Sequence, residues 1–278
     1  MPITGSRCGA LGGHNPNFGW PSRSQDVAHR APFLPPIFCF RTTRHSTAAL
    51  LREDDLQPYF LDRYDGGRRL AEKLGKFANE PNLLVLALPR GGVPVAYEVA
   101  RALHAPLDVF LVRKLGFPGH PELAMGAIAT GGVRILDHFT IQMYGVRPED
   151  IDRITAEEQR ELARRERLYR DDRPAPDVKD HTVILVDDGL ATGSTMRAAV
   201  EALREEGARK IVVAVPVAPP DTCEAMKSEV DEIVCAVTPE PFRAVGIWYA
   251  DFSETADDEV RELLAKAGFS GPVSAQEA

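Results

Sequence analysis

The sequence predicts an α/β domain: a mostly parallel central sheet flanked by helices, with a small C-terminal hood. Three observations carry this. Apolar runs of strand length recur at 83–88, 107–112, Thr182–Val186, 211–217 and Glu232–Val237. They lack the in–out alternation of a half-exposed strand, as strands covered on both faces do. Stretches of helical length separate them, the order found where helices wrap a parallel sheet.

Residues 1–55 are rich in Gly, Pro, Ser, Arg, His and Asn, and Pro32, Pro35 and Pro36 break their one apolar patch. They read as a flexible extension. Arg23, Arg30, Arg41 and Arg44 could make it a binding arm, but scattered arginines are better explained as a solvated tail. The folded domain is expected over 56–270, followed by a flexible tail, 271–278. Residues 62–77 place Leu70, Leu74 and Phe77 on one helical face. After the strand at 83–88, Gly91 and Gly92 lead into a helix over 93–103. A second strand, 107–112, precedes a Gly/Pro-rich, flexible segment at 116–122. Residues 124–129 and 133–136 read as a hairpin-like pair around Gly131 and Gly132. A long charged helix covers 148–169, with Ile151, Ile154, Leu162 and Leu168 on its apolar side. Thr182–Val186 is a strand ending in Asp187, Asp188 and Gly189, and a helix over 194–206 stops at Gly207. A helix near 222–228 separates the last two strands, and no internal repeat is present.

Composition narrows the function. With 44% hydrophobic and 27% charged residues, the 278-residue chain is neither disordered nor collagen-like. Its length suggests roughly two domains at about 150 residues each. Lys and Arg total 33 against 41 Asp and Glu, a net charge of −8. Such a chain is poorly suited to duplex nucleic acid, so none is expected as a partner. No apolar run reaches the ~18–20 residues that span a bilayer, and no signal peptide is evident. Cys8, Cys39, Cys223 and Cys235 form no C-x-x-C pair, which excludes a zinc knuckle or thioredoxin-like motif. So few thiols fit a reducing cytoplasm, the expected location.

The informative stretch follows the third apolar run: Val186-Asp187-Asp188-Gly189-Leu190-Ala191-Thr192-Gly193-Ser194-Thr195. A strand delivers two adjacent carboxylates at its C-terminal end, where ligands sit in open α/β sheets. A loop of small and hydroxylic residues then opens a helix, whose first N–H groups have no internal partner and favour an anion. Thr192, Ser194 and Thr195 add hydroxyls, and Gly193 allows close backbone approach. Two carboxylates beside a phosphate cradle suit ribose hydroxyls, directly or through Mg²⁺. A turn with a helix cap would need one carboxylate, not two.

This run resembles the phosphoribosyl-pyrophosphate (PRPP) signature of type I phosphoribosyltransferases, and it is not a Walker P-loop, lacking the Gly-Lys-Ser/Thr ending. The resemblance implies the fold described above, PRPP as donor and Mg²⁺ as cofactor. It gives Asp187 and Asp188 the ribose hydroxyls and the metal, and Gly189 and Ala191–Thr195 the rest of the donor, with its 5′-phosphate. Leu88-Pro89-Arg90-Gly91-Gly92-Val93 resembles the family's pyrophosphate loop, which implies a cis peptide at Pro89–Arg90 and donor contacts from Arg90, Gly91 and Gly92. The stretch from Arg113 to Glu122 stands where the family has its mobile catalytic loop. There Arg113 and Lys114 would neutralise departing pyrophosphate, and His120 and Glu122 are the titratable groups offered as acid or base. The hood, about 238–254, carries Phe242, Trp248 and Tyr249, either a stacking surface for a planar base or an apolar cap. Trp248 is taken as the base contact.

The acceptor stays open. Family members acting on 6-oxopurines carry an Asp where this chain has Ala191, which argues against that activity. The expected reaction is transfer of the phosphoribosyl group to a nitrogen acceptor resembling a nucleobase, and the expected assembly is a homodimer. The alternative is a module that senses PRPP and transfers nothing. A dinucleotide-binding dehydrogenase and a serine hydrolase are excluded by the missing G-x-G-x-x-G and G-x-S-x-G.

Overall fold

The computed structural model describes residues 58–171 and 173–267. The extension at 1–55 and the tail at 271–278 lie outside them. Five parallel strands form the central sheet in the order β2-β1-β6-β7-β8: β1 (Leu83–Ala87), β2 (Leu107–Val109), β6 (Thr182–Val186), β7 (Lys210–Val217) and β8 (Glu232–Val237). Along β1, Val85 and Ala87 join one core, while Leu84 and Leu86 join the other. Burial on both faces is why the sequence shows no alternation there.

Between β1 and β2 runs α2 (Gly92–Leu103); between β6 and β7 runs α5 (Ser194–Glu205). The chain leaves β1 toward one edge of the sheet and leaves β6 toward the other. Right-handed crossovers therefore put the two helices on opposite faces. On the α2 face pack α1 (Arg63–Leu74) and α7 (Asp257–Lys266), through Leu70, Leu74, Val99 and Leu263. The α5 face is filled by Met196, Ala199 and Leu203. A short helix, α6 (Pro220–Met226), leads into β8, to which Cys223 is joined by a disulfide with Cys235. The sparse cysteine count gives no hint of that pairing.

A second sheet departs from expectation. The strand expected over 107–112 ends at Val109, and β3 (Val112–Phe117) starts a separate antiparallel sheet with β4 (His120–Ala129) and β5 (Arg134–Leu136). The segment expected to be flexible, 116–122, is the hairpin tip, closed where Phe117 pairs with His120. Its Pro118 and Gly119, with Gly119 at φ 77°, supply what a type II turn demands. The β4–β5 pair forms around Gly131 and Gly132 as the sequence suggests.

Two further helices complete the domain, α3 (His138–Tyr144) and α4 (Pro148–Arg170). The apolar side of α4 is the predicted one: Ile151 and Leu162 are buried, with Ile154 and Leu168 packed beside them. At its end Arg170, 2% exposed, donates from Nε to Asp108 Oδ1 at 3.0 Å and from Nη2 to the carbonyl of Val109. Neither α3 nor α7 is anticipated by the sequence analysis. Among the described residues no helix is long and apolar enough to cross a membrane.

Candidate active site

The direction in which the chain winds across the sheet reverses between β1 and β6, parallel neighbours, and such a switch point opens a crevice at the strand C-termini. Register puts Ala87 opposite Val186, so the turn after β1 lies beside the acids after β6. The two turns touch. A Cβ on Gly91 would overlap the Asp188 carboxylate, 2.8 Å from Cγ and closer still to Oδ2. One on Gly92 would lie 2.8 Å from the Val186 carbonyl oxygen. Glycine is thus required at both positions by space. The Pro89–Arg90 peptide is cis, as the resemblance implies.

Asp187 and Asp188 are each half-buried. Asp187 Oδ1 accepts from the Asp188 N–H at 2.8 Å. Burial, and then the negative charge of Asp188, push the Asp187 carboxyl well above its usual range. Burial also raises Asp188, against the opposing pull of Arg63. Arg63 donates from Nε to Asp188 Oδ2 at 2.9 Å and from Nη1 to the Ser253 carbonyl at 2.6 Å, with its guanidinium 3.8 Å from the Phe252 ring centre. The Tyr249 hydroxyl donates to the Asp188 carbonyl at 2.5 Å, and burial keeps that phenol protonated.

The hydroxylic loop begins at buried Gly189 and Leu190, then turns outward: Ala191, Thr192, Ser194 and Thr195 are exposed. Gly193, at φ 74°, caps α5 in a left-handed conformation that favours glycine. Two side chains tie the loop to the α6 region. Thr222 donates to the Ala191 carbonyl at 2.9 Å, and Arg197 donates to the Thr192 carbonyl at 2.6 Å while pairing with Glu229. Ser194 and Thr195 share a cavity of about 530 Å³ with Lys114, floored by Val112, Ala127 and Leu136.

Several predicted residues fall elsewhere. Arg113 faces away from that cavity and pairs with Glu158 of α4 at 2.6 Å, so it is engaged structurally instead of lining the site. Side chains alternate along a strand, and Lys114 takes the opposite face. His120 is exposed at the hairpin tip, and the Glu122 side chain lies outside the described residues. Arg90 turns to Glu254 and to Asp257, the latter at 3.8 Å. Trp248 is 3% exposed and packs on Tyr59 and Phe242, so it belongs to an apolar cap and presents no open face to a base. Arg63, Tyr249, Arg197 and Thr222 are contacts the sequence analysis did not assign. Only Arg63 carries a local signal: a cation in the first turn of a helix opposes the helix dipole, which asks for a compensating acid.

Among the described residues no group of three or more His, Cys, Asp or Glu could hold a metal ion. The adjacent carboxylates of Asp187 and Asp188 offer hard oxygen ligands.

An open parallel sheet with an acid pair, a glycine turn and a hydroxylic loop gathered at its switch point is the architecture of phosphoribosyl transferase domains. Residues 61–245 match the family described as phosphoribosyl transferase domain, and the chain belongs to it. It is similar to a candidate phosphoribosyl transferase of Mycobacterium tuberculosis, in strains CDC 1551 / Oshkosh and ATCC 25618 / H37Rv. Identity is 44% over 208 residues in each, covering 75% of this chain and 47% of the relative. The chain thus spans about half the length of the curated relatives it matches. Among solved structures it is similar to the TT1426 protein from Thermus thermophilus, with a TM-score of 0.68 and 42% identity over 76% of this chain and 99% of that one.

Proposed function

We propose that the protein transfers the 5-phosphoribosyl group of PRPP to a nitrogen acceptor of nucleobase type, with Mg²⁺ as cofactor. In that step the bond from C1 to the pyrophosphate oxygen breaks, a bond from C1 to the acceptor nitrogen forms, and the acceptor gives up a proton. The observation that carries the reading is the contact between the Gly91-Gly92 turn and the Asp187-Asp188 turn at the switch point, with the exposed loop of α5 beside them. Asp187 and Asp188 would hold the ribose hydroxyls, and Ala191 to Thr195 the 5′-phosphate. The Gly91-Gly92 backbone would border the pyrophosphate, and Lys114 lines the cavity that Ser194 and Thr195 border.

Two carboxylates, with no third such ligand among the described residues, fit Mg²⁺, which takes one or two carboxylates and completes its shell from substrate and water oxygens. When bound it would neutralise charge on the leaving pyrophosphate. The chain's own contribution is positioning and fixed charge. Ala191 stands against a 6-oxopurine acceptor, and buried Trp248 gives no support to stacking on that ring.

Calorimetry with PRPP and Mg²⁺ tests the donor site. The wild type should bind, and folded Asp187→Asn/Asp188→Asn should not; equal affinity in the two refutes the assignment. A screen of nucleobases and small amines for pyrophosphate release then tests transfer. Tight donor binding with no release from any acceptor would make the chain a PRPP sensor.

A further inference from the structure

We infer that Arg63 is a positioning residue of the donor site, acting through Asp188; the inference rests on the donor reading above. Arg63 lies at the start of α1, far in sequence from every predicted site residue, yet its side chain is 11% exposed and engaged on three sides. Nε meets Asp188 Oδ2 at 2.9 Å, Nη1 meets the Ser253 carbonyl at 2.6 Å, and the Phe252 ring lies against the guanidinium. A planar guanidinium fixed at two nitrogens and one face has little rotational freedom left, so the carboxylate it grips inherits a fixed orientation.

The position matters as much as the bond. A Cβ on Gly91 would be 3.1 Å from Arg63 Nε, so this guanidinium stands where the glycine turn after β1, the acid turn after β6 and the segment 249–253 converge. The charges that face it are Asp188, Asp187 and Asp251. Held by Arg63, the Asp188 carboxylate is kept from swinging away from Asp187, the other acid of the pair. Lysine could supply the charge at this place but not the planar fork that meets Asp188 and Ser253 from two separate nitrogens.

A merely structural staple between α1 and the C-terminal segment would also explain the contacts, and coupling separates the two roles. PRPP affinity is measured with Mg²⁺, by calorimetry up to millimolar donor, in wild type, R63Q, R63K, D188N and R63Q/D188N. Losing a charge-assisted hydrogen bond predicts about ten- to hundredfold weaker binding in R63Q, with R63K between R63Q and wild type. In the D188N background R63Q should add less than about threefold, because the group it orients is already changed. Wild-type affinity in R63Q, or losses that simply add in the double variant, overturns the inference. Should R63Q fail to fold, F252L removes the ring beneath the guanidinium and leaves both acids, and it should weaken binding several-fold; unchanged affinity in folded F252L and R63K refutes the role. A wild type that ignores PRPP overturns the donor reading as well, whereas tight wild-type binding with an indifferent R63Q overturns this inference alone.

Discussion

Gly91→Ala is the smallest change that sets the two halves of the site against each other. Gly91 has φ −59° and ψ −30°, ordinary helical values that alanine adopts freely, so the substitution introduces no backbone strain. All of its effect comes from the added methyl, which would sit 2.8 Å from Asp188 Cγ and overlap Oδ2. Contacts under 3.0 Å are essentially never seen for a real Cβ, and the obstacle is a carboxylate held by Arg63, not the free end of a long side chain. Either the Asp188 carboxylate rotates off Arg63 or the turn after β1 withdraws. The first route forfeits a charge-assisted hydrogen bond, about 1.5–3 kcal/mol. That corresponds to roughly ten- to hundredfold weaker PRPP binding. At about 2–4 °C per kcal/mol for a domain of this size, the midpoint should also fall by some 3–12 °C. The assays are calorimetry with PRPP and Mg²⁺ and thermal unfolding of the unliganded protein. Gly75→Ala is the control: it follows α1 at φ −52° with nothing within 4 Å of a new Cβ, and it should be neutral or slightly stabilising. If Gly91→Ala binds and melts like wild type, the packing of the glycine turn on Asp188 is not what shapes the site.

Two further perturbations test the scaffold. Arg170→Met strands the buried Asp108 carboxylate and should cost about 3–5 kcal/mol in urea unfolding. Asp108→Asn in the same chain should recover part of that loss, and an undiminished loss would show that Asp108 is not the stranded group. Glu206, whose Oε1 is buried without a hydrogen-bond partner among the described residues, is pushed by burial from 4.5 up to about 7, with Arg170 opposing. A raised folded value means the protonated form is favoured on folding, so its contribution is full below pH 4.5 and is lost as the pH rises through 7. Melting temperature between pH 5 and 8 should therefore decline less steeply in Glu206→Gln than in wild type; parallel curves would refute the assignment.

Much of the fold was legible because the strongest sequence signals were local. Thr182–Val186 is buried on both faces, and nothing but a strand suits five such residues ending in two acids. The helix after it is announced by Gly193 and stopped by Gly207, both with positive φ in the structure. The hairpin β3–β4 is not legible in the sequence because Gly and Pro mark a tight turn as readily as a loose loop, and only pairing of Phe117 with His120 shows the turn. In α3 no residue is buried and Phe139, Met143 and Tyr144 are exposed, so no amphipathic contrast was there to find. By comparison α7 has an acidic first turn and Val260, Leu263 and Leu264 at helical spacing, which are readable signals. The Trp248 environment was not readable: Tyr59 lies far away in the sequence, and nothing local shows that Phe242 folds back onto the indole.

The two halves of the candidate site differ in legibility for one physical reason. A motif advertises residues that act from a single turn, so Asp187, Asp188 and the loop to Thr195 could be placed from sequence. Which cation stands beside them depends on strand parity and on contacts between distant elements. Arg113 and Lys114 are adjacent on β3, and a period of two sends them to opposite faces. Arg113 goes to Glu158 on α4, and Lys114 goes to the cavity that Ser194 and Thr195 border. Their adjacency in sequence hides that difference. Arg63 is the converse case: it belongs to no motif, and its bond to Asp188 spans 125 positions of chain. The acids therefore come from local sequence, while the cations that orient and balance them come from tertiary structure. In this fold, changes at Arg63, Lys114 and Arg113 should separate into a donor-site effect, a cavity effect and a scaffold effect, although all three residues carry the same charge.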